Sequence, residues 1–247
     1  MKNRYGQESG NVIYWQKVLI SSDRWHIREA AMLKIYSEKK AKKMIRERDT
    51  LIRNISASYH LPPACLKAIL MMEIPQVDLA DLAADATVRI NWLRYSLGGR
   101  FDPDRHTRNP LKKFDSSTGF GQIFSQVAID AILFARSLDI PLYTGTGDDL
   151  FPFRPDDLKQ VWTRLNRDEV FNLSCAALNL LHAAFEMTGK IDLSNASENE
   201  LKLVFSRYNG NVKKISTYGE RAYSYYLDYQ HEEEARSAKI DRTQEQV

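Results

Sequence analysis

What the chain lacks bounds it first. Its 247 residues include only 2 cysteines, 11 glycines and 8 prolines. Cys65 and Cys175 make no disulfide framework; both sit in apolar segments and read as two buried thiols. A hydrophobic content of 43% with 27% charged residues excludes wholesale disorder and a collagen-like fibre. No run of about 18 apolar residues occurs, so no transmembrane helix is expected. The N-terminus, MKNRYGQESG, holds no apolar stretch fit for a signal peptide. That predicts a chain that stays in the cytoplasm until it is released or exported by a dedicated route. The five histidines (26, 60, 106, 182 and 231) form no ligand pattern, so neither a metal nor a cofactor is expected. His182 in LNLLHAAF reads as a core residue and His106 in RHTRN as a loop residue.

Charge of one sign is also scarce. A net +3 is too small for a dedicated nucleic-acid binder. The distribution is less even: residues 1–60 hold 13 Lys/Arg against 6 Asp/Glu, whereas the remainder holds 22 against 26. A basic N-terminal arm therefore precedes a mildly acidic body. Its Lys39, Lys40, Lys42, Lys43, Arg46 and Arg48 read as a solvated helix face, with an anionic polymer as the alternative partner.

What is present is helical periodicity; alternating Val/Ile/Thr strands are scarce, and the expected class is all-α. From Trp25 to Ser58 there is no proline or glycine, and apolar residues recur between Lys, Arg and Glu, which predicts one long amphipathic helix. Pro62 and Pro63 suit the start of a short, nearly all-apolar helix over Ala64–Glu73. Pro75 biases Ile74 away from helical geometry and should end it there. Further helices are expected at about 76–97, 123–138, 156–165, 168–188, 197–207 and 217–232. Residues 98–118 and 141–157 read as loops. The expected organisation is an arm (1–60), a main domain (61–232) and a frayed polar tail (233–247).

Glu73 stands on the same helical stripe as Leu66, Ile69 and Leu70. Burial and a helix C-terminus both disfavour the charged carboxylate, and a carboxyl kept protonated near neutrality is what a general acid needs. An ion-paired or capping Glu is the plain alternative. In Asp115-Ser-Ser-Thr-Gly119-Phe120-Gly121-Gln122-Ile123, two glycines around an aromatic permit a tight turn and close backbone approach, and Asp115 is a second carboxylate. Loop-to-helix capping explains that stretch equally well. Asn209-Gly210 after Tyr208 reads as a turn or helix end, and the tyrosines of Tyr223–Tyr229 read mostly as core. Asp78, Asp81 and Asp85 share one helix face and read as solvated, with Asp85–Arg89 as an i,i+4 pair.

Taken in order, LPPACLKAILMME, STGFGQI, RYNG and YGERAYSYYL resemble the lysozyme-like superfamily, in particular its lytic transglycosylase and goose-type lysozyme branch. The resemblance spans roughly residues 61–227. It implies a lysozyme-like helical domain that cleaves the β-1,4 bond between N-acetylmuramic acid and N-acetylglucosamine in peptidoglycan. Glu73 would be the catalytic acid. Gly119, Phe120, Gly121, Gln122 and Ile123 would line the cleft, Tyr208 and Asn209 would close it, and Tyr218 would stand near the acid. Asp115 would be a candidate base or electrostatic partner. Three departures are visible: Ile74 stands where the branch has a serine after the acid, Asn211 stands where its Y-N-x-G motif ends in glycine, and the stretch between Glu73 and Gly119 is longer than in compact members. Transglycosylation needs no second carboxylate, whereas inverting hydrolysis needs a base roughly 6.5–9.5 Å from the acid. A chitosan- or chitin-cleaving enzyme and a non-catalytic glycan-binding protein are the competing readings.

Overall fold

The structure is a computed structural model that describes residues 34–102, 112–143, 150, 154–210 and 214–244. Among them the fold is all-α, with two isolated bridges (Lys34 with Asp78, Thr118 with Ile123) and no strand. The helices are α1 Glu38–Glu47, α2 Asp49–Ser58, α3 Pro63–Glu73, α4 Leu79–Ser96, α5 Ser125–Ser137, α6 Pro155–Arg167, α7 Glu169–Thr188, α8 Glu198–Tyr208 and α9 Thr217–Gln244.

The long helix expected over 25–58 is interrupted among the described residues. Lys34 is extended against Asp78, Ser37 caps α1, and Arg48 (φ −109°, ψ 8°) separates α1 from α2. The Arg48 side chain is held by the Met44 carbonyl and Glu169. The bend has a packing cause. Both short helices turn their apolar faces inward, and Ala41, Ile45, Ile52 and Ile55 are almost wholly buried. Lys39, Lys40, Lys42, Lys43 and Arg46 stay exposed on the outer face of α1.

The helix α3 carries no charged first turn and no polar face, so every residue from Ala64 to Glu73 is buried. It lies against α9 along its length and against α1 and α2 at its sides. Pro63 opens it and it ends at Glu73 as expected, but Ile74 keeps right-handed dihedrals (φ −58°, ψ −45°) and leads into a 3-10 turn, Ile74–Gln76. The second central element is α7. By length and composition it could cross a membrane, yet 72% of that apolar window is buried inside the fold, as in the core helix of a packed domain. Phe171 and Phe205, the largest fully buried side chains, anchor α7 and α8; each contributes about 1.5–3 kcal/mol by leaving water. Cys65 and Cys175 are buried and free.

At the C-terminus the polar tail expected to fray after Glu234 is helical over its described residues, and α9 runs to Gln244. Glu233 and Arg236 explain the extension. Glu233 takes a hydrogen bond from Lys67 at 2.7 Å and pairs with Arg53, while Arg236 reaches Asp49 at 2.6 Å. The buried ammonium of Lys67 also bonds Asp49, so α2, α3 and α9 meet at one charge cluster. His106 and Asn211 fall outside the described residues.

Candidate active site

Glu73 closes α3 with its side chain nine-tenths buried. The Tyr218 hydroxyl, from the first turn of α9, donates to its Oε1 at 2.5 Å. Among the described residues no cation pairs with it. Burial pushes the Glu73 carboxyl up to about 7; the Tyr218 bond pulls it down, and the nearby Asp81 charge pushes it further up. The group therefore holds a proton near neutrality while lying next to a polar contact rather than an ion pair. The same burial, together with the Glu73 charge, raises the phenols of Tyr208 and Tyr218 well above their ordinary value, so both remain hydrogen-bond donors.

The glycine turn is built as tightly as its sequence suggests. Thr118 and Ile123 exchange both backbone hydrogen bonds across it, at 3.2 and 3.3 Å. Gly119 sits at φ +72°, and a Cβ there would lie 2.1 Å from Asn172 Nδ2. A Cβ on Gly121 would meet Ala176 at 3.0 Å and the Tyr208 hydroxyl at 3.2 Å. Gln122 is left-handed (φ 45°) and folds its amide back onto the Gly119 carbonyl at 2.7 Å. Ile123 is core. Phe120 is half-buried, with the Arg48 guanidinium 4.3 Å above its ring. From the end of α8, Tyr208 donates to the Gly121 carbonyl at 2.9 Å, while the neighbouring Asn209 is the exposed C-cap. Glu73, Tyr218, Tyr208 and the Gly119–Gly121 turn are thus one neighbourhood, linked by two hydrogen bonds and by the field of the Glu73 carboxylate.

The second carboxylate caps a helix. Asp115 accepts the Ser125 and Gln126 amides at 2.9 and 3.2 Å. Both oxygens are engaged at the N-terminus of α5, where an acid offsets the helix dipole. The carboxylate whose charge reaches Glu73 is Asp81, the N3 residue of the capping box that opens α4 from Asp78. Asp85 is not on a solvated face either. It accepts Ser116 Oγ at 2.6 Å, and Thr118 Oγ1 and Asn166 Nδ2 at 3.0 Å, while Arg89 bonds Asn166 instead of Asp85.

One supporting residue escaped the sequence reading. Asn172, buried in the first turn of α7, donates to the Thr118 and Leu165 carbonyls at 3.0 and 3.2 Å and accepts the Gly121 amide at 2.8 Å. Its signal in the sequence is an amide opening the apolar run FNLSCAALNLL. Such a group must be satisfied when buried, and its partners are the backbone of the glycine turn and the last turn of α6. A small cavity of about 60 Å³ lies beside Lys67 rather than at Glu73, between α1 and α9, and is lined by Lys42, Arg46, Asp49, Tyr225 and Tyr229. Set against known proteins, the chain matches no family model, no curated protein and no solved structure.

Proposed function

We propose that the chain is a peptidoglycan-cleaving enzyme of the lysozyme-like kind, with Glu73 as general acid acting on the β-1,4 bond between N-acetylmuramic acid and N-acetylglucosamine. The observation that carries this reading is the Glu73 carboxyl: buried at a helix end, free of any cation among the described residues, held by a phenol and protonated up to about pH 7. A buried carboxyl with no cation beside it favours its neutral form, the state from which a proton can be given. The glycine turn and Tyr208 beside it are the parts that the resemblance assigns to the cleft.

In the proposed reaction Glu73 gives its proton to the glycosidic oxygen as the bond from C1 to that oxygen breaks. The resulting carboxylate then takes the proton of the sugar's own 6-hydroxyl as that oxygen attacks C1, leaving a 1,6-anhydro end and consuming no water. The occupation of Asp115 as a helix cap favours this route over hydrolysis with Asp115 as base. Hydrolysis stays a second reading through Asp81, because its charge is the carboxylate field felt at Glu73. The test is digestion of purified sacculi. Glu73→Gln should abolish release of soluble muropeptides from a protein that still folds, and full activity in that variant would refute the assignment.

A further inference from the structure

The glycine turn is clamped from two sides. From α7 and α8, Asn172 accepts the Gly121 amide and Tyr208 donates to the Gly121 carbonyl. From α4 and α6 comes a second set of bonds, built on Asp85 and Asn166. Ser116 donates to one oxygen of Asp85 at 2.6 Å, while Thr118 and Asn166 donate to the other, each at 3.0 Å. Asn166 Nδ2 also donates to Thr118 Oγ1 at 2.7 Å, and its Oδ1 accepts Arg89 at 2.5 Å. Trp162 Nε1 donates to Ser116 Oγ at 2.9 Å. Each of these bonds has a fixed sense, because a hydroxyl has a single proton and an ionised carboxylate only accepts. Thr118 gives its proton to Asp85 and keeps its lone pairs for Asn166; Ser116 gives to Asp85 and accepts from Trp162. Ser116 and Thr118 are buried, so a lost bond leaves a polar group short of a partner with little water to replace it.

Thr118 is also where the turn closes, since its backbone exchanges both hydrogen bonds with Ile123. Holding the Thr118 side chain therefore fixes Gly119, Phe120 and Gln122, the half-exposed parts of the turn that a ligand can meet. The helix α4 carries Asp81 and Asp85 about one turn apart. The charge of the first reaches Glu73, and the second holds the glycine turn. One helix thus sets the turn relative to the acid. We propose that Asp85 and Asn166 are positioning residues for the glycan strand: through Thr118 they hold the glycine turn in the shape that the strand meets, an assignment that rests on the glycan-cleaving role of Glu73. Both act through the turn and neither on the Glu73 proton, so their loss falls first on substrate binding.

The experiment reverses the polarity of the pair in the full chain. Asp85→Asn alone sets an amide donor against the amide of Asn166, and Asn166→Asp alone sets two carboxylates together. In the double variant, Asp85→Asn with Asn166→Asp, the new amide donates to the new carboxylate, Thr118 turns its proton the other way, and Arg89 gains a carboxylate partner. Amide exchange at Gly121 and Ile123 should be about tenfold faster or more in each single variant and return close to native in the double variant. On uncrosslinked glycan strands each single variant should raise KM about tenfold with a smaller fall in kcat, and the double variant should restore KM. A merely structural defect would reduce the folded fraction, and with it kcat, at unchanged KM. That result would overturn the proposal, as would native exchange in both single variants or a double variant no better than either. If the native chain cleaves no glycan, the assignment of Glu73 fails instead, and exchange at Gly121 and Ile123 still decides whether Asp85 and Asn166 hold the turn.

Discussion

At the residue scale the account rests on how one carboxyl is solvated. Raising Glu73 from 4.5 to about 7 means that the folded chain holds this proton more tightly than the unfolded chain. The stability it supplies is present in full below about pH 4.5 and is lost as pH rises through 7. Glu73→Gln therefore stabilises the protein above pH 7, by on the order of 1–3 kcal/mol, and urea titrations of both proteins at pH 5 and pH 8 check it. The catalytic consequence has the same origin: turnover of sacculi should fall as pH rises through about 7, where the acid loses its proton. Tyr218→Phe removes the bond that pulls the Glu73 carboxyl down, so the alkaline limb of the rate profile should move upward while the rate drops about tenfold or more. Asn172→Ala orphans the Gly121 amide, removes the side-chain donor to the Thr118 and Leu165 carbonyls, and should cost about 1–3 kcal/mol in urea unfolding.

At the element scale, the sequence conveyed which segments are helical far better than where their ends lie or what they touch. The helix α3 was legible because two prolines precede an uninterrupted apolar run, and α7 because Asp168 caps another. The break at Arg48 was not, because the groups that hold its side chain, Glu169 and the Phe120 ring, come from α7 and the glycine turn. The C-terminal extension of α9 was missed for the same reason. A run rich in Glu, Arg and Lys reads as frayed unless one knows that Lys67 lies buried beneath it. In the Lys67 cluster, burial alone would raise the Asp49 carboxyl. Hydrogen bonds from Lys67, Arg53 and Arg236 outweigh that and hold it far below the usual carboxylate range. The stability from this carboxylate is present above about pH 4 and is lost only as pH falls well into the acid range. Glu233→Ala leaves Lys67 with one carboxylate in place of two and should cost about 1–3 kcal/mol, read as a lowered midpoint of thermal unfolding.

At the scale of the whole molecule, the helical class and the meeting of Glu73, Tyr218, Tyr208 and the glycine turn follow the order of four short motifs spread over residues 61–227. Local reading of any one of those motifs would assign it to capping or core packing. For Asp115 the capping reading is the one the geometry favours, because its oxygens face the amides of Ser125 and Gln126. For Glu73 no such partner exists among the described residues except the Tyr218 hydroxyl. The most direct measurement is mass spectrometry of the muropeptide ends released from purified sacculi by the full chain and by Glu73→Gln. The account predicts 1,6-anhydro ends, lighter than reducing ends by one water, from the native chain and none from the variant. Equal release by the two proteins would contradict it.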